Sequence, residues 1–368
     1  MRIIKANVWE VTTSTSGRPS TRYGSGVKTL SRVLLKVQDE DGNAGWGETS
    51  PLPDFTGETA ASSAAVLRPA MKKLERTSID DPATAVDSLA DFSRAPAARA
   101  GLEMAMLDLE GQAGGCSLSA RMGGEKRSEV RVTRPFGITQ IPEALEKGRE
   151  YFEQGIRTFK LKVGVDSDTD AERVLALRNE FSKDVTMRVD ANGGFVASDA
   201  LRFSEKIRKA GFEYFEQPVA PETENIVDTF REIRKMGIPV VVDESIFSAE
   251  DAHRLIDAEA VDGGVIKMIK FGGPAASKKV ASVFEKAGGF AVIVSTFESY
   301  VGKAAGLAIA LSIEGEEHAH ELGFLPFPAD FSGWRHRFDN GKLIHNQGKG
   351  HGGWGIPQKL DTLAQSAA

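Results

Sequence analysis

Residues 158–192 read TFKLKVGVDSDTDAERVLALRNEFSKDVTMRVDAN. Thr158–Val163 is predicted to be a strand, and Phe159, Leu161 and Val163 between the lysines mark it as buried. Asp168–Phe181 is predicted to be an amphipathic helix, and Thr186–Val189 a second strand. This is one strand–helix–strand step, and it recurs in both directions. Helix Ser198–Lys209 follows Thr186–Val189. Phe212–Phe215 leads to Thr223–Met236, and Pro239–Val242 to Ser248–Ile256. Gly264–Ile266 leads to Pro274–Lys286, and Phe290–Val294 to Val301–Ser312. A strand-like run, Arg131–Ile138, opens the series, and a short strand over Glu317–Leu322 ends it, with the last helix short or missing. Repeated βα units mean parallel strands. Up to eight of them imply an α/β fold, a modified (β/α)8 TIM-like barrel. A doubly wound open sheet is the alternative, but no G-x-G-x-x-G follows the first strand.

Upstream, Ile3–Thr12 and Leu30–Asp39 are rich in Val, Ile, Leu and Thr and read as strands, and DEDGNAGWGE reads as a turn at Asp41-Gly42 before a third. In PAARAGLEMAMLDLEGQA, Ala98, Leu102, Ala105 or Met106, and Leu109 recur at helical spacing behind Pro96. Three regions result: an α+β part over 1–125, the barrel over 126–325, and a Gly-, Pro- and aromatic-rich segment over 326–368 expected to return onto the first part. The long polar stretch Thr13–Thr29 is a lid candidate.

The 368 residues carry 46 Lys+Arg against 52 Asp+Glu, a net charge of −6, with 41% hydrophobic residues. The acidic balance and the lack of a basic block argue against nucleic acid as a partner. Nowhere do about 18 apolar residues run together, so a membrane span is not expected. The single cysteine, Cys116, fits a reducing, cytoplasmic location. The N-terminus lacks the apolar run of a signal peptide.

Barrel enzymes place their chemistry at the C-terminal ends of the strands. There this sequence has Lys160 and Lys162, then Asp190, Glu216, Asp243 and Lys267, with Glu298 beyond the next strand. From Lys162 onward the steps are 28, 26, 27 and 24 residues, each about one βα unit. Three carboxylates on adjacent strands are an oxygen set suited to Mg²⁺, or to Mn²⁺, and the missing His/Cys cluster argues against zinc. Lys160 and Lys162 share a face, and their like charge is expected to lower their pKa values and favour a neutral amine as base. Two alternatives stay open: Asp190 as a helix cap, and Glu244 in place of Asp243 as ligand. His318 and His320 read as structural or rim residues.

In these residues the chain resembles the enolase superfamily, specifically its mandelate racemase/muconate lactonizing enzyme group. The motifs are K-L-K at Lys160–Lys162, D-A-N at Asp190–Asn192, E-Q-P at Glu216–Pro218, D-E-S at Asp243–Ser245, K-M-I-K-F-G-G at Lys267–Gly273, and F-E-S-Y-V-G around Glu298. Lysines on both sides look like the muconate lactonizing subgroup. The resemblance implies that residues 1–125 are a capping domain and that Asp190, Glu216 and Asp243 bind Mg²⁺. It also implies that Lys162 and Lys267 are acid/base groups on opposite faces of the α-carbon, and that Lys160 tunes Lys162 and touches the substrate carboxylate. Asn192 and Glu298 would be near-site residues. The implied activity is racemisation or epimerisation of a small-molecule carboxylate, an amino acid or derivative, through an enediolate, in a homo-oligomer. A muconate-type cycloisomerase or a dehydratase shares the same first step, and a Schiff-base lysine aldolase is the reading from another class. Members acting on dipeptides have a D-x-D at the eighth strand, where this chain reads His320-Glu321-Leu322-Gly323. Glu298 and Glu321 are candidates for a substrate ammonium or amide. Arg22, Tyr23 and Phe55 are lid candidates.

Overall fold

The computed structural model describes residues 1–14, 29–315, 318–323, 337–345 and 348–351. Tyr23 and Arg22 therefore lie outside the described residues. The chain begins with an antiparallel sheet of β1 (Ile3–Ser14), β2 (Thr29–Asp39) and β3 (Ala44–Thr49), in that order. The helix Pro96–Gly114 lies across it, with Pro96 in its first turn and Ala98, Leu102, Ala105, Met106 and Leu109 buried as their spacing requires. Glycine sets how closely these two layers approach. A Cβ on Gly47 would stand 1.9 Å from the Gly101 carbonyl oxygen, which is backbone and cannot swing aside. Gly47→Ala is expected to destabilise the fold by about 1–3 kcal/mol, the usual range for overpacking. A fall in thermal midpoint checks this, and an unchanged midpoint would show that the layers can part freely.

The second sheet is parallel and has seven strands. In spatial order they run β11 (Phe290–Ile293), β10 (Gly263–Ile266), β9 (Val240–Val242), β8 (Tyr214–Glu216), β7 (Thr186–Asp190), β6 (Thr158–Lys162) and β5 (Arg134–Phe136). Of the expected eighth strand over Glu317–Leu322, the described residues 318–322 form parallel bridges at two positions, His320 with Val132 and Glu321 with Val294. Those two residues still bond both edges. The His320 amide donates to Arg131 O at 2.8 Å, and the Glu321 amide to Ile293 O at 2.9 Å. This closes the sheet into the modified barrel. The expected run Arg131–Ile138 divides in two. Glu129–Arg131 becomes β4, which pairs with the hairpin β12 (Arg337–Asp339) and β13 (Lys342–Ile344), while β5 joins the barrel. Farther on, the Leu118 amide donates to Gly350 O at 2.6 Å, and the His351 amide to Asp108 Oδ1 at 2.9 Å. Residues 348–351 thus touch the helices of the first domain.

Across the barrel the registers align Lys162 with Asp190, Asp190 with Glu216, and Glu216 with Val241. Side chains alternate faces along a strand, so these residues, and Asp243 two beyond Val241, share one face. Lower on that face Tyr214, Val241, Val265, Val292 and Val294 form a small apolar cluster. The interior therefore has a largely apolar lower layer, with the buried Arg188 beside Tyr214, and a layer of carboxylates and lysines on its C-terminal side.

The first domain is bolted to the barrel by buried charge. Arg32 pairs with Glu48 at 3.2 Å, both buried. Glu48 in turn accepts from the Ser299 amide at 2.7 Å and the Gly302 amide at 3.0 Å. These are free donors at the start of the helix Tyr300–Ser312, where a carboxylate is favoured. The Arg32 Nη2 donates to Phe297 O at 2.8 Å, and Ser50 Oγ to Thr296 O at 3.0 Å. The sheet of the first domain thereby fixes the loop after β11, at the barrel mouth.

Candidate active site

Lys160, from the middle of β6, sits among three carboxylates. Its Nζ is 2.8 Å from Glu216 Oε1, 2.6 Å from Glu321 Oε1 and 3.0 Å from Asp190 Oδ2. Lys162, two residues on, bonds Asp190 Oδ2 and, at 2.8 Å, Asn192 Oδ1. Asn192 has a positive φ of 46°, a conformation Asn tolerates better than most residues, and its Nδ2 reaches Glu244 Oε1 at 3.1 Å. On the other side, Lys267 just past β10 bonds Asp243 Oδ2. Lys270 holds the same carboxylate through Oδ1 at 2.8 Å and the Asp243 carbonyl at 2.7 Å. The Phe55 ring lies 4.1 Å from the Lys267 Nζ, so the first domain covers that lysine.

The sequence-derived set is thus largely gathered in one place. Lys160, Lys162, Asp190, Asn192, Glu216, Asp243, Lys267 and Glu321 form one connected cluster. Glu298 sits apart from it, accepting from Ser295 Oγ at 2.5 Å and Thr296 Oγ1 at 2.6 Å, in the seam with the first domain. Asp190 caps no helix: the helix Ala197–Ile207 starts behind Val196. Three positions escaped the sequence reading. One is Lys270, hidden inside the K-M-I-K motif. Another is Gln217, whose Oε1 accepts from the Asp243 amide at 3.1 Å and the Ser245 amide at 3.2 Å. The third is Glu103, which anchors the Ala275 amide at 2.9 Å across the domain seam.

The electrostatics correct one expectation. Burial works to lower the Lys160 pKa, as does a like charge nearby. The carboxylates of Asp190, Glu216 and Glu321 outweigh that and hold Lys160 well above its ordinary value. Lys160 is a fixed cation, not half of a self-neutralising pair. Lys267 is raised too: burial lowers it, but Asp243 and Glu244 prevail. Burial likewise pushes Asp190 up, and Lys160 and Lys162 more than reverse it, so its carboxyl stays well below the usual range. Asp243 is held at about 2, burial being overcome by Lys267 and Lys270. Glu216 goes the other way, raised well above its ordinary value by burial and then by the neighbouring Asp190.

Whether a divalent cation suits this cluster can be judged from its oxygens. Among the described residues no three acidic or imidazole side chains close around one point, since Lys162 and Lys267 take up oxygens of the two outer carboxylates. Yet Glu216 Oε2 is buried with no hydrogen-bond partner among the described residues, and Glu216 is repelled by both Asp190 and Asp243. A hard cation relieves both conditions, and the donors are all oxygens. The residues present fit such an ion.

Comparison with known proteins agrees with this geometry. Residues 4–123 match the family model described as mandelate racemase/muconate lactonizing enzyme, N-terminal domain, and residues 143–353 match enolase C-terminal domain-like. The chain belongs to the mandelate racemase/muconate lactonizing enzyme family of the enolase superfamily. It is 32% identical over 251 residues to a hydrophobic dipeptide epimerase of Citrifermentans bemidjiense, covering 66% of this chain and 68% of that one. It is 27% identical over 314 residues to the N-succinyl-L-Arg/Lys racemase of Bacillus cereus, covering 84% of each. The crystal structure of that racemase superposes with a TM-score of 0.87 at 25% identity, covering 99% of this chain and 98% of the other. The dipeptide epimerase of Methylococcus capsulatus, solved with Mg and L-Arg-D-Lys, gives a TM-score of 0.84 at 26% identity, over 96% of this chain and 100% of that one.

Proposed function

We propose that this chain is a Mg²⁺-dependent racemase or epimerase acting on the α-carbon of a carboxylate, an amino acid or amino-acid derivative. One observation carries the reading. Lysines stand on β6 and just past β10, and the strands between them, β7, β8 and β9, bear or lead into Asp190, Glu216 and Asp243. A carboxylate anchored at the acidic centre therefore has its α-carbon between Lys162 and Lys267. Mg²⁺ bound by Asp190, Glu216 and Asp243 would supply Lewis-acid stabilisation of the charge that builds on the substrate carboxylate as the α-proton leaves.

The chain's own groups do the rest. Lys162 or Lys267, as the amine, takes the proton from one face, and the opposite ammonium returns one to the other face. Exchanging these roles gives the reverse direction. Lys160, pinned as a cation by its carboxylates, offers fixed positive charge on the side of the substrate carboxylate. Asn192 holds Lys162 from one side and Glu244 from the other, which orients the amine. Phe55 and the fixed loop at Phe297 exclude water from the Lys267 side. Relatives that racemise N-succinyl amino acids or epimerise dipeptides support an amino-acid-derived substrate. The test is proton NMR in D₂O with Mg²⁺ on a panel of amino acids, N-acyl amino acids, dipeptides and betaines. Loss of one α-proton signal with formation of the opposite configuration is expected. An eliminated or cyclised product would overturn racemisation, and imine trapping by borohydride would place the chain with lysine aldolases.

A further inference from the structure

Lys162 is the last residue of β6, and its main chain has run past one of its neighbours. On that side β5 ends at Phe136, opposite Leu161. On the other side the Val163 amide donates to Asp190 O at 2.9 Å. A trans peptide points its carbonyl away from its N–H, so the Lys162 carbonyl faces the side where β5 has stopped. A backbone carbonyl shut away from water needs a donor. Here a buried side chain supplies it. Arg173 Nη2 donates to Lys162 O at 2.6 Å, and Nη1 reaches Thr139 O, just beyond β5, at 3.4 Å. The guanidinium carries the sheet on where the strand does not.

Arg173 is itself held. Its Nη2 also donates to Asp170 Oδ1 at 2.7 Å, and the two residues are only 4% and 2% exposed. The other oxygen, Asp170 Oδ2, accepts from the amides of Gly164, Val165 and Asp166 at 2.8, 3.0 and 3.3 Å. Both residues lie in the first two turns of the helix Ser167–Phe181. The carboxylate gathers the loop that leaves Lys162, and the guanidinium gathers the strand end. That loop is pressed on the segment after β7. Gly164 has a φ of +104°, and a Cβ there would stand 2.6 Å from Ala191 O. Ala191 precedes Asn192, whose Oδ1 accepts from Lys162 Nζ. Neither Asp170 nor Arg173 bonds a carboxylate of the cluster or Lys267, which has its own support in Lys270 through Asp243. Burying an ion pair is costly, and apolar residues would pack a helix on a strand as well. What this pair adds is a fixed grip on the backbone around Lys162.

We infer that Asp170 and Arg173 are positioning residues for Lys162, aiming its amine at one face of the substrate and leaving the Lys267 face alone. The inference rests on the two-lysine reading of the reaction. Its test is α-proton exchange in D₂O with Mg²⁺, each enantiomer measured apart, on the panel compound that the wild-type protein racemises. Arg173→Lys keeps a cation beside Asp170 and loses the forked reach to the strand, Asp170→Asn keeps the shape and loses the charge, and Lys162→Ala shows which enantiomer depends on Lys162. For that enantiomer, exchange is expected to fall roughly 10- to 10²-fold in kcat in Arg173→Lys and severalfold in Asp170→Asn, with the other enantiomer within about twofold of wild type. KM and Mg²⁺ binding by calorimetry should be unchanged, because Asp190 keeps its place in the sheet between β6 and β8. A general loosening of the fold would slow both enantiomers alike. Loss that is equal for both, loss that is greater for the other enantiomer, or no loss in either variant while Lys162→Ala keeps its preference, would overturn the positioning role alone. No preference in Lys162→Ala, or no panel compound exchanged by the wild type, would overturn the two-lysine reading and this role with it.

Discussion

Asp190→Asn and Glu216→Gln are each expected to lose at least about 10³-fold in turnover and to lose measurable Mg²⁺ binding. The estimate follows from the several kcal/mol that Lewis-acid stabilisation supplies, at about 1.4 kcal/mol per tenfold in rate. Both changes keep side-chain volume, so the apolar cluster below, with Tyr214 and Val241, stays packed. Metal binding read by calorimetry separates this loss from simple unfolding. Glu244→Gln is the companion experiment. Glu244 bonds Asn192 and contacts the cluster from its edge, so its variant should retain metal binding while Asp243→Asn loses it. Retained binding in Asp243→Asn with loss in Glu244→Gln would reassign the third ligand. Full activity in Asp190→Asn or Glu216→Gln would remove the metal assignment altogether.

The second large effect belongs to the lysines. Lys162→Ala and Lys267→Ala should each lower racemisation by roughly 10²–10⁴-fold, the range of a positioned acid/base group. Neither lysine is needed as a structural counter-charge. Asp190 retains Lys160 when Lys162 is removed, and Asp243 retains Lys270 when Lys267 is removed, so no buried carboxylate is left without a counter-charge. Folding should survive both changes, which circular dichroism checks. Turnover unchanged in either variant would show that the lysine is not a base.

Much of this was legible in the sequence because barrel geometry ties position to spacing. One βα unit separates each of Lys162, Asp190, Glu216, Asp243 and Lys267 from the next, and parallel register then brings them to one mouth. The helix Pro274–Lys286 was legible to the residue, since proline and the period mark its ends. The eighth strand was legible in place, within Glu317–Leu322, but not in extent. His320 and Glu321 bond both neighbours through only two residues, too few for a periodic signal. The sense of the lysine electrostatics was also hidden. It depends on Asp190 and Glu216, which face Lys160 across the strands, and then on Glu321, which is 161 residues from Lys160 in sequence and 2.6 Å away in space. Lys270 and Gln217 were overlooked for a related reason. Each acts by holding Asp243, and a partner held across strands leaves no local pattern.

The most direct measurement is α-proton exchange in D₂O for each enantiomer of the substrate, with Mg²⁺, in Lys162→Ala and Lys267→Ala side by side. Two bases on opposite faces require mirrored results: one variant exchanges the proton of only one enantiomer, the other variant that of only its mirror image, and neither interconverts them. Exchange of both enantiomers in one variant, or loss of both in each, would contradict the two-lysine arrangement.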